Sequence, residues 1–353
     1  MNFSYNNNNI ISCLLRFFIL FQGLLFLISC SSHNALMGVE EPVIPEYVDY
    51  TTNRYRNPII RTSLPDPSII KAKDGFFYLY ATEDIRNTPI YQSQDLVSWR
   101  YVGTAFSEKT RPTILDNGGL WAPDINYING KYVLYYSQST WGGEWACGIG
   151  IAVSDSPEGP FTDLGKLFTS KEIGVQNSID PFYMEDDGIK YLFFGSLRGL
   201  YVMELSEDGY SIKDVASPQP IKSSNGIEGT YIHKKDGYYY MFSSAGSCCN
   251  GLNSTYRLVC GRSDNILGPY KSPSGGNISS NVILKGNSTF VGPGHNAEII
   301  TDDNGQDWII YHGYMVDDPH GRYVFLDKID WVDGWPVIKD GFPSEESDLP
   351  YFK

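Results

Sequence analysis

Asp66-Pro67-Ser68-Ile69-Ile70, Lys73-Asp74-Gly75 and Phe76-Phe77-Tyr78-Leu79-Tyr80 set an acid, an apolar strand, a turn and an aromatic strand in succession. The same grammar returns four times. Asp124-Ile125-Asn126-Tyr127-Ile128 precedes Asn129-Gly130 and Lys131-Tyr132-Val133-Leu134-Tyr135-Tyr136. Asp180-Pro181-Phe182-Tyr183 leads through Asp186-Asp187-Gly188 to Tyr191-Leu192-Phe193-Phe194. Glu228-Gly229-Thr230-Tyr231-Ile232 leads through Lys235-Asp236-Gly237 to Tyr238-Tyr239-Tyr240-Met241-Phe242. In the last unit His295 replaces the acid, ahead of Ala297-Glu298-Ile299-Ile300, Asn304-Gly305 and Trp308-Ile309-Ile310-Tyr311. Asn-Gly and Asp-Gly between apolar strands predict hairpins, because a type I′ turn needs positive φ at both central residues. The spacing of the openings leaves room for about four strands per unit, the signature of a propeller. The expectation is an all-β, five-bladed β-propeller, since a β-sandwich would not repeat one opening five times. No helical periodicity interrupts the pattern after residue 35.

Ahead of the repeats the chain changes character. Leu14 to Ser29 is nearly all apolar and ends in Leu27-Ile28-Ser29-Cys30, followed by small and polar residues. A short apolar stretch of this kind reads as an export signal over residues 1–30, and it is shorter than a comfortable membrane span of about 20 residues. Its ending resembles a bacterial lipobox, which would make Cys30 a lipid-bearing membrane anchor. Residues 31–60 are expected to be a tether and 61–345 the catalytic domain. The place of action is then outside the cytoplasm: periplasm, outer membrane or cell surface. Net charge is −14, and no basic run follows residue 35. Such a surface repels nucleic acid and suits a neutral partner; nothing in the chain predicts a protein partner. Aromatic residues make up 14%, led by 26 Tyr, which favours half-buried strands and suits sugar-binding surfaces equally. Of the cysteines beyond the leader, Cys147, Cys248, Cys249 and Cys260, the adjacent pair is expected not to bridge, because neighbours pair only with strain. Nothing in the spacing of cysteines and histidines suggests zinc.

First strands of propeller blades line the central channel, so Asp66, Asp124, Asp180, Glu228 and His295 are expected to converge at one end of it. Gathered carboxylates repel one another, and burial raises the pKa of at least one. A single acid at a strand start is ordinarily a cap for backbone N–H groups; the constellation points to chemistry instead. Glycoside hydrolysis needs such a pair, one carboxyl protonated and one ionised.

Asp66-Pro67-Ser68, Trp121-Ala122-Pro123-Asp124, Ser178-Ile179-Asp180-Pro181 and Ile227-Glu228-Gly229 resemble the motifs of glycoside hydrolase family 43, over roughly residues 60 to 340. Ser247-Cys248-Cys249-Asn250-Gly251, Ser254-Thr255-Tyr256, Gly261-Arg262-Ser263 and Gly292-Pro293-Gly294-His295-Asn296 are similar to segments of its arabinanases. The resemblance implies an inverting hydrolase of α-1,5-linked L-arabinan or a related plant polysaccharide. Asp66 would be general base, Glu228 general acid, and Asp180 the residue that orients the acid. Asp124 would bind a sugar hydroxyl or hold the Trp121 loop. Trp121, Gly142, Asn177, Ser178, Ile179 and Ser196 would border the substrate. The resemblance also implies a hydrated calcium or other cation in the channel near His295. Arabinanases carry an aromatic pair after Gly-Ser, whereas this chain reads Gly195-Ser196-Leu197-Arg198-Gly199. That departure keeps an exo-acting α-L-arabinofuranosidase or β-xylosidase open. A surface glycan-binding propeller without catalysis is the alternative of another class.

Overall fold

The computed structural model describes residues 48–353, residue 223 excepted. The expected leader and Cys30 lie outside the described residues. Within them the protein is all-β: helix is limited to Ser170–Ile173 and three short 3-10 turns, and no helix is long and apolar enough to cross a membrane.

Five antiparallel sheets of four or five strands follow one another in chain order among the described residues, with a small three-stranded sheet beside them. Each main sheet begins at its inner strand, and successive strands pair outward by hairpins. The first sheet starts at Ser68–Lys71, the second at Gly119–Ile128, the third at Phe182–Asp186, the fourth at Ile227–Lys235 and the fifth at Phe290–Gly294. Asn129-Gly130, Asp187-Gly188 and Asp236-Gly237 each hold positive φ at both positions and join strands in two-residue turns, as predicted. Lys73-Asp74-Gly75 and Asn304-Gly305 depart from this. Only their glycines have positive φ, and longer loops join Lys71 to Phe77 and Thr301 to Asp307.

Apolar side chains fill the spaces between sheets. Tyr78, Tyr80, Ile125, Leu134 and Tyr136 lie between the first and second; Val133, Tyr135, Leu192 and Phe194 lie between the second and third. Ile69, Leu79, Trp308, Ile310 and Leu326 join the fifth to the first. Much of the tyrosine content is spent here. Tyr135 is fully buried and its hydroxyl donates to Gly209 O at 2.7 Å, while Tyr55 donates to Leu326 O at 2.6 Å. A buried phenol thus supplies both apolar area and a cross-sheet hydrogen bond.

The domain also begins earlier and ends later than the expected limits of 61 and 345. Arg54–Arg56 pairs with Glu346–Asp348, bringing the two ends of the fold into one sheet. Asn57 donates to Leu326 O, Ile59 donates to Val324 O, and Tyr55 is inaccessible to solvent. The segment from residue 48 to 60 is therefore part of the folded body, because its aromatic and amide groups find their partners on the last sheet.

Candidate active site

One residue with positive φ marks each of the five inner strands: Asp66 (53°) and Asp180 (56°) ahead of their strands, Ala122 (40°) and Gly229 (58°) within the irregular starts of Gly119–Ile128 and Ile227–Lys235, and His295 (46°) directly after Phe290–Gly294. This left-handed backbone is unfavourable for residues with side chains and persists only where the surroundings fix it. The preceding sheet does so. The Ala122 amide donates to Thr82 Oγ1 at 2.8 Å, Asp180 to Ser137 Oγ at 2.9 Å and His295 to Ser244 Oγ at 2.7 Å. The Asp66 amide donates to His312 Nδ1 at 3.0 Å, linking the fifth sheet to the first. The strand register puts Gly195, which has no side chain, at the remaining place. There the Gly229 amide turns instead to Asp180 Oδ2 at 3.2 Å.

A second tier of the same kind lies deeper. Ile125 donates to Ser68 Oγ at 3.1 Å, Tyr183 to Asp124 Oδ2 at 2.8 Å and Ile69 to Glu298 Oε2 at 2.6 Å. Asp124 belongs to this tier, so the expected ring of five loses it. It faces Tyr135 as Ser68 faces Tyr80, while Ala122-Pro123 occupies the place of Asp66-Pro67 and Asp180-Pro181. The aligned prolines are the sequence signal for that register. Asp124 is buried, accepts from Asn126 Nδ2 at 2.7 Å and does not line the cavity above.

That cavity, of about 600 Å³, is bordered by Asp66, Asp180, Glu228 and His295, and also by Trp121, Gly142, Asn177, Ile179 and Ser196. Nine of the expected residues thus share one space. Ser178 does not join them: it is fully buried, and its hydroxyl donates back to Val175 O at 2.9 Å. Trp121 meets Trp141 with ring centroids 5.7 Å apart, the latter 77% exposed. Arg198 takes Glu144 in a forked ion pair at the rim, with bonds of 2.9 and 3.0 Å.

The three acids sit in different electrostatic settings. Asp66 Oδ1 is 3.1 Å from Arg322 Nη1 and 3.2 Å from His295 Nδ1; Oδ2 accepts from Thr82 Oγ1 at 2.6 Å. Burial alone would raise this carboxyl, but the Arg322 guanidinium and the two histidine rings outweigh it and hold it well below the usual carboxylate range. Asp180 is pushed up to about 7 by burial, with repulsion from Glu228 and Asp66 adding to it against the pull of His295. Glu228 accepts from two hydroxyls, Tyr256 at 3.0 Å and Ser196. His295 rises to about 9: burial opposes its charge, but Asp66, Asp180 and Glu228 together prevail. His312 goes the other way, held neutral by burial and by Arg322. A Cβ on Gly229 would come within 3.0 Å of the His295 ring, and one on Gly294 within 2.2 Å of Tyr256, so these glycines let the ring of side chains close.

Arg322 and Tyr256 are the functional residues that the repeat does not reveal. Arg322 precedes the strand Tyr323–Val332 and opens no unit; Tyr256 lies within a segment quoted above for its resemblance, and the repeat gives it no role. The cysteine expectation is overturned as well. Cys248 and Cys249 are bonded to each other, and Cys249 takes a φ of 40°, which turns the chain so that neighbouring sulfurs meet. Cys147 and Cys260 are free and buried.

Three carboxylates, Asp66, Asp180 and Glu228, face one cavity edged with indoles and include the pair that cleavage of a glycosidic bond demands; the fold and site define a glycoside hydrolase. The chain belongs to the glycosyl hydrolases family 43, whose family model matches residues 55–336. It is 33% identical over 309 residues to the extracellular exo-α-(1→5)-L-arabinofuranosidase ArbA of Cellvibrio japonicus, covering 78% of this chain and 86% of that one. It is also 33% identical over 289 residues to the extracellular endo-α-(1→5)-L-arabinanase 1 of Bacillus subtilis, covering 77% and 87%. Among solved structures, the Cellvibrio cellulosa α-L-arabinanase complexed with arabinohexaose superposes with a TM-score of 0.68 at 31% identity, over 79% of this chain and 96% of that one. The successive sheets accordingly form a β-propeller.

Proposed function

We propose that this protein is an exported, inverting hydrolase of α-1,5-linked L-arabinan, with the five main sheets as five blades. The observation that carries the reading is geometric: Asp66, Asp180 and Glu228 border one cavity, with Asp66 paired to Arg322 and Glu228 held by the Ser196 and Tyr256 hydroxyls. Asp66 takes a proton from water as the water oxygen bonds to the anomeric carbon. The glycosidic C–O bond breaks on the opposite face, and Glu228 passes its proton to the leaving oxygen. Asp180 binds the amide that follows Glu228 and so aims the acid, while Ser196 and Tyr256 fix its two oxygens. Trp121 and Trp141 offer apolar faces to sugar rings. Relatives named as arabinan-cleaving enzymes support the substrate.

Export is supported by those extracellular relatives and by the Cys248–Cys249 bond, which suits an oxidising compartment. A lipid on Cys30 and the tether after it remain part of the proposal. A cation ligated by His295 fits the contacts poorly, because that ring is paired with Asp66 and raised to about 9. Calcium takes oxygen donors, and among the described residues no three His, Cys, Asp or Glu side chains come together as a metal site. No step of the reaction is drawn through it.

The test is hydrolysis of a polysaccharide panel with product chromatography. Linear arabinan should yield a ladder of oligosaccharides, and Asp66→Asn and Glu228→Gln should each lose at least about 100-fold in kcat. Release of arabinose alone would replace endo with exo action, the reading that the similarity to ArbA favours. Binding without cleavage by the intact protein would overturn the enzyme in favour of a glycan-binding module.

A further inference from the structure

The mechanism leaves the bond between Cys248 and Cys249 without a role, yet this pair stands on the cavity wall, between Ser247 and Asn250, which border the same space. Both cysteines are half-buried, and both flanking residues are exposed. The loop is built to hold the pair there. Ser247 O accepts from Ser254 Oγ at 2.8 Å and from the Thr255 amide at 3.1 Å; the Ser247 amide donates to Thr255 Oγ1 at 3.0 Å. A Cβ on Gly246 would strike Thr255 O at 2.3 Å, so only glycine lets the two arms approach. The loop then runs into Tyr256, which holds Glu228.

Two bonded sulfurs carry no S–H donor. They present a polarisable, apolar surface fixed by the short ring they close with the backbone. A sugar ring offers the complement, an apolar C–H face bordered by hydroxyls. We propose that the Cys248–Cys249 disulfide is a sugar-binding platform. It takes the C–H face of one unit of a neutral glycan, while Ser247 and Asn250 take that unit's hydroxyls. It would thus match, from the fourth sheet, what Trp121 and Trp141 provide from the second. The proposal rests on the glycoside hydrolase reading.

Reduction of the folded protein tests it. Dithiothreitol converts the pair to two thiols and is itself oxidised to its cyclic disulfide; Cys147 and Cys260 are already thiols. With the glycan that the untreated protein cleaves, reduction should raise KM about tenfold, a loss of roughly 1.4 kcal/mol in binding, and change kcat less than about twofold. Reoxidation should restore KM, and the Cys248→Ser/Cys249→Ser double variant should match the reduced protein. An unchanged KM would overturn the proposal. So would a fall in kcat at constant KM, which would mean that the loop serves only to place Tyr256. A panel with no cleaved glycan would overturn the hydrolase reading. The platform would then be judged by calorimetric binding of neutral oligosaccharides, with the same tenfold weakening expected on reduction and equal affinity refuting it.

Discussion

Arg322 shows how one side chain sets the charge state of a site from outside the repeat. Its guanidinium, with the His295 and His312 rings, keeps Asp66 ionised against the cost of burial. Arg322→Met should therefore raise the pKa of Asp66 and move the acid limb of the kcat/KM profile to higher pH, with the loss greatest on the acid side. A uniform loss at all pH values would assign Arg322 to substrate binding instead. Asp66, Asp180, Glu228 and His295 were legible because each opens one of the repeated units of the sequence. Arg322 was not, since a cation that approaches a carboxylate from a chain position 256 residues away leaves no local pattern. Asp124 was misplaced for a related reason: acidity drew the alignment two residues past the Ala122-Pro123 step that marks the true opening. It performs the task of an ordinary strand cap, accepting a backbone amide from the next sheet.

Among the elements, the second strand of four of the five main sheets, the third excepted, has a function that strand propensity alone does not suggest. Thr82, Ser137, Ser244 and His312 stand at its far end and receive the amide that opens the following sheet. Ser137→Ala would leave the buried Asp180 amide unpaired, at a cost of about 1–3 kcal/mol. It would also loosen the carboxylate that binds Gly229. Chemical denaturation should register the first effect and a lower kcat the second; a stability loss with kcat intact would show that Asp180 keeps its place without the staple. The sheets themselves were readable from turn chemistry and aromatic strands. The exceptions were the first and fifth hairpins, where Asp74 and Asn304 lack positive φ and the loops lengthen.

For the molecule as a whole, the buried titrating groups mostly push in one direction. His295, raised to about 9, contributes stability that is complete below its unfolded value near 6.5 and is lost as pH rises through about 9. Asp124, Asp180 and Glu298, raised to between about 7 and about 8, keep protons that the unfolded chain has already released. They too lower stability as pH climbs from the ordinary carboxylate range to those values. Asp66 acts oppositely as pH falls through its depressed value, and so does His312, because below the usual imidazole range the unfolded ring takes a proton that the buried one refuses. The melting temperature should thus peak at mildly acidic pH and fall toward pH 9, and Asp124→Asn should flatten the decline. A profile equally steep in that variant would exclude the deep carboxylates as its cause. The pairing of Arg54–Arg56 with Glu346–Asp348 has a further consequence for how the chain matures. The clasp joins two segments that lie far apart in the sequence, so it can form only once the first and fifth sheets have come together, as the bonds of Tyr55 and Asn57 to Leu326 also require. Such a long-range contact is costly to form in entropy and slow to find. A protease that cuts ahead of Glu346 would undo it, and the freed edge of Arg54–Arg56 would become the first place where the protein sticks to copies of itself.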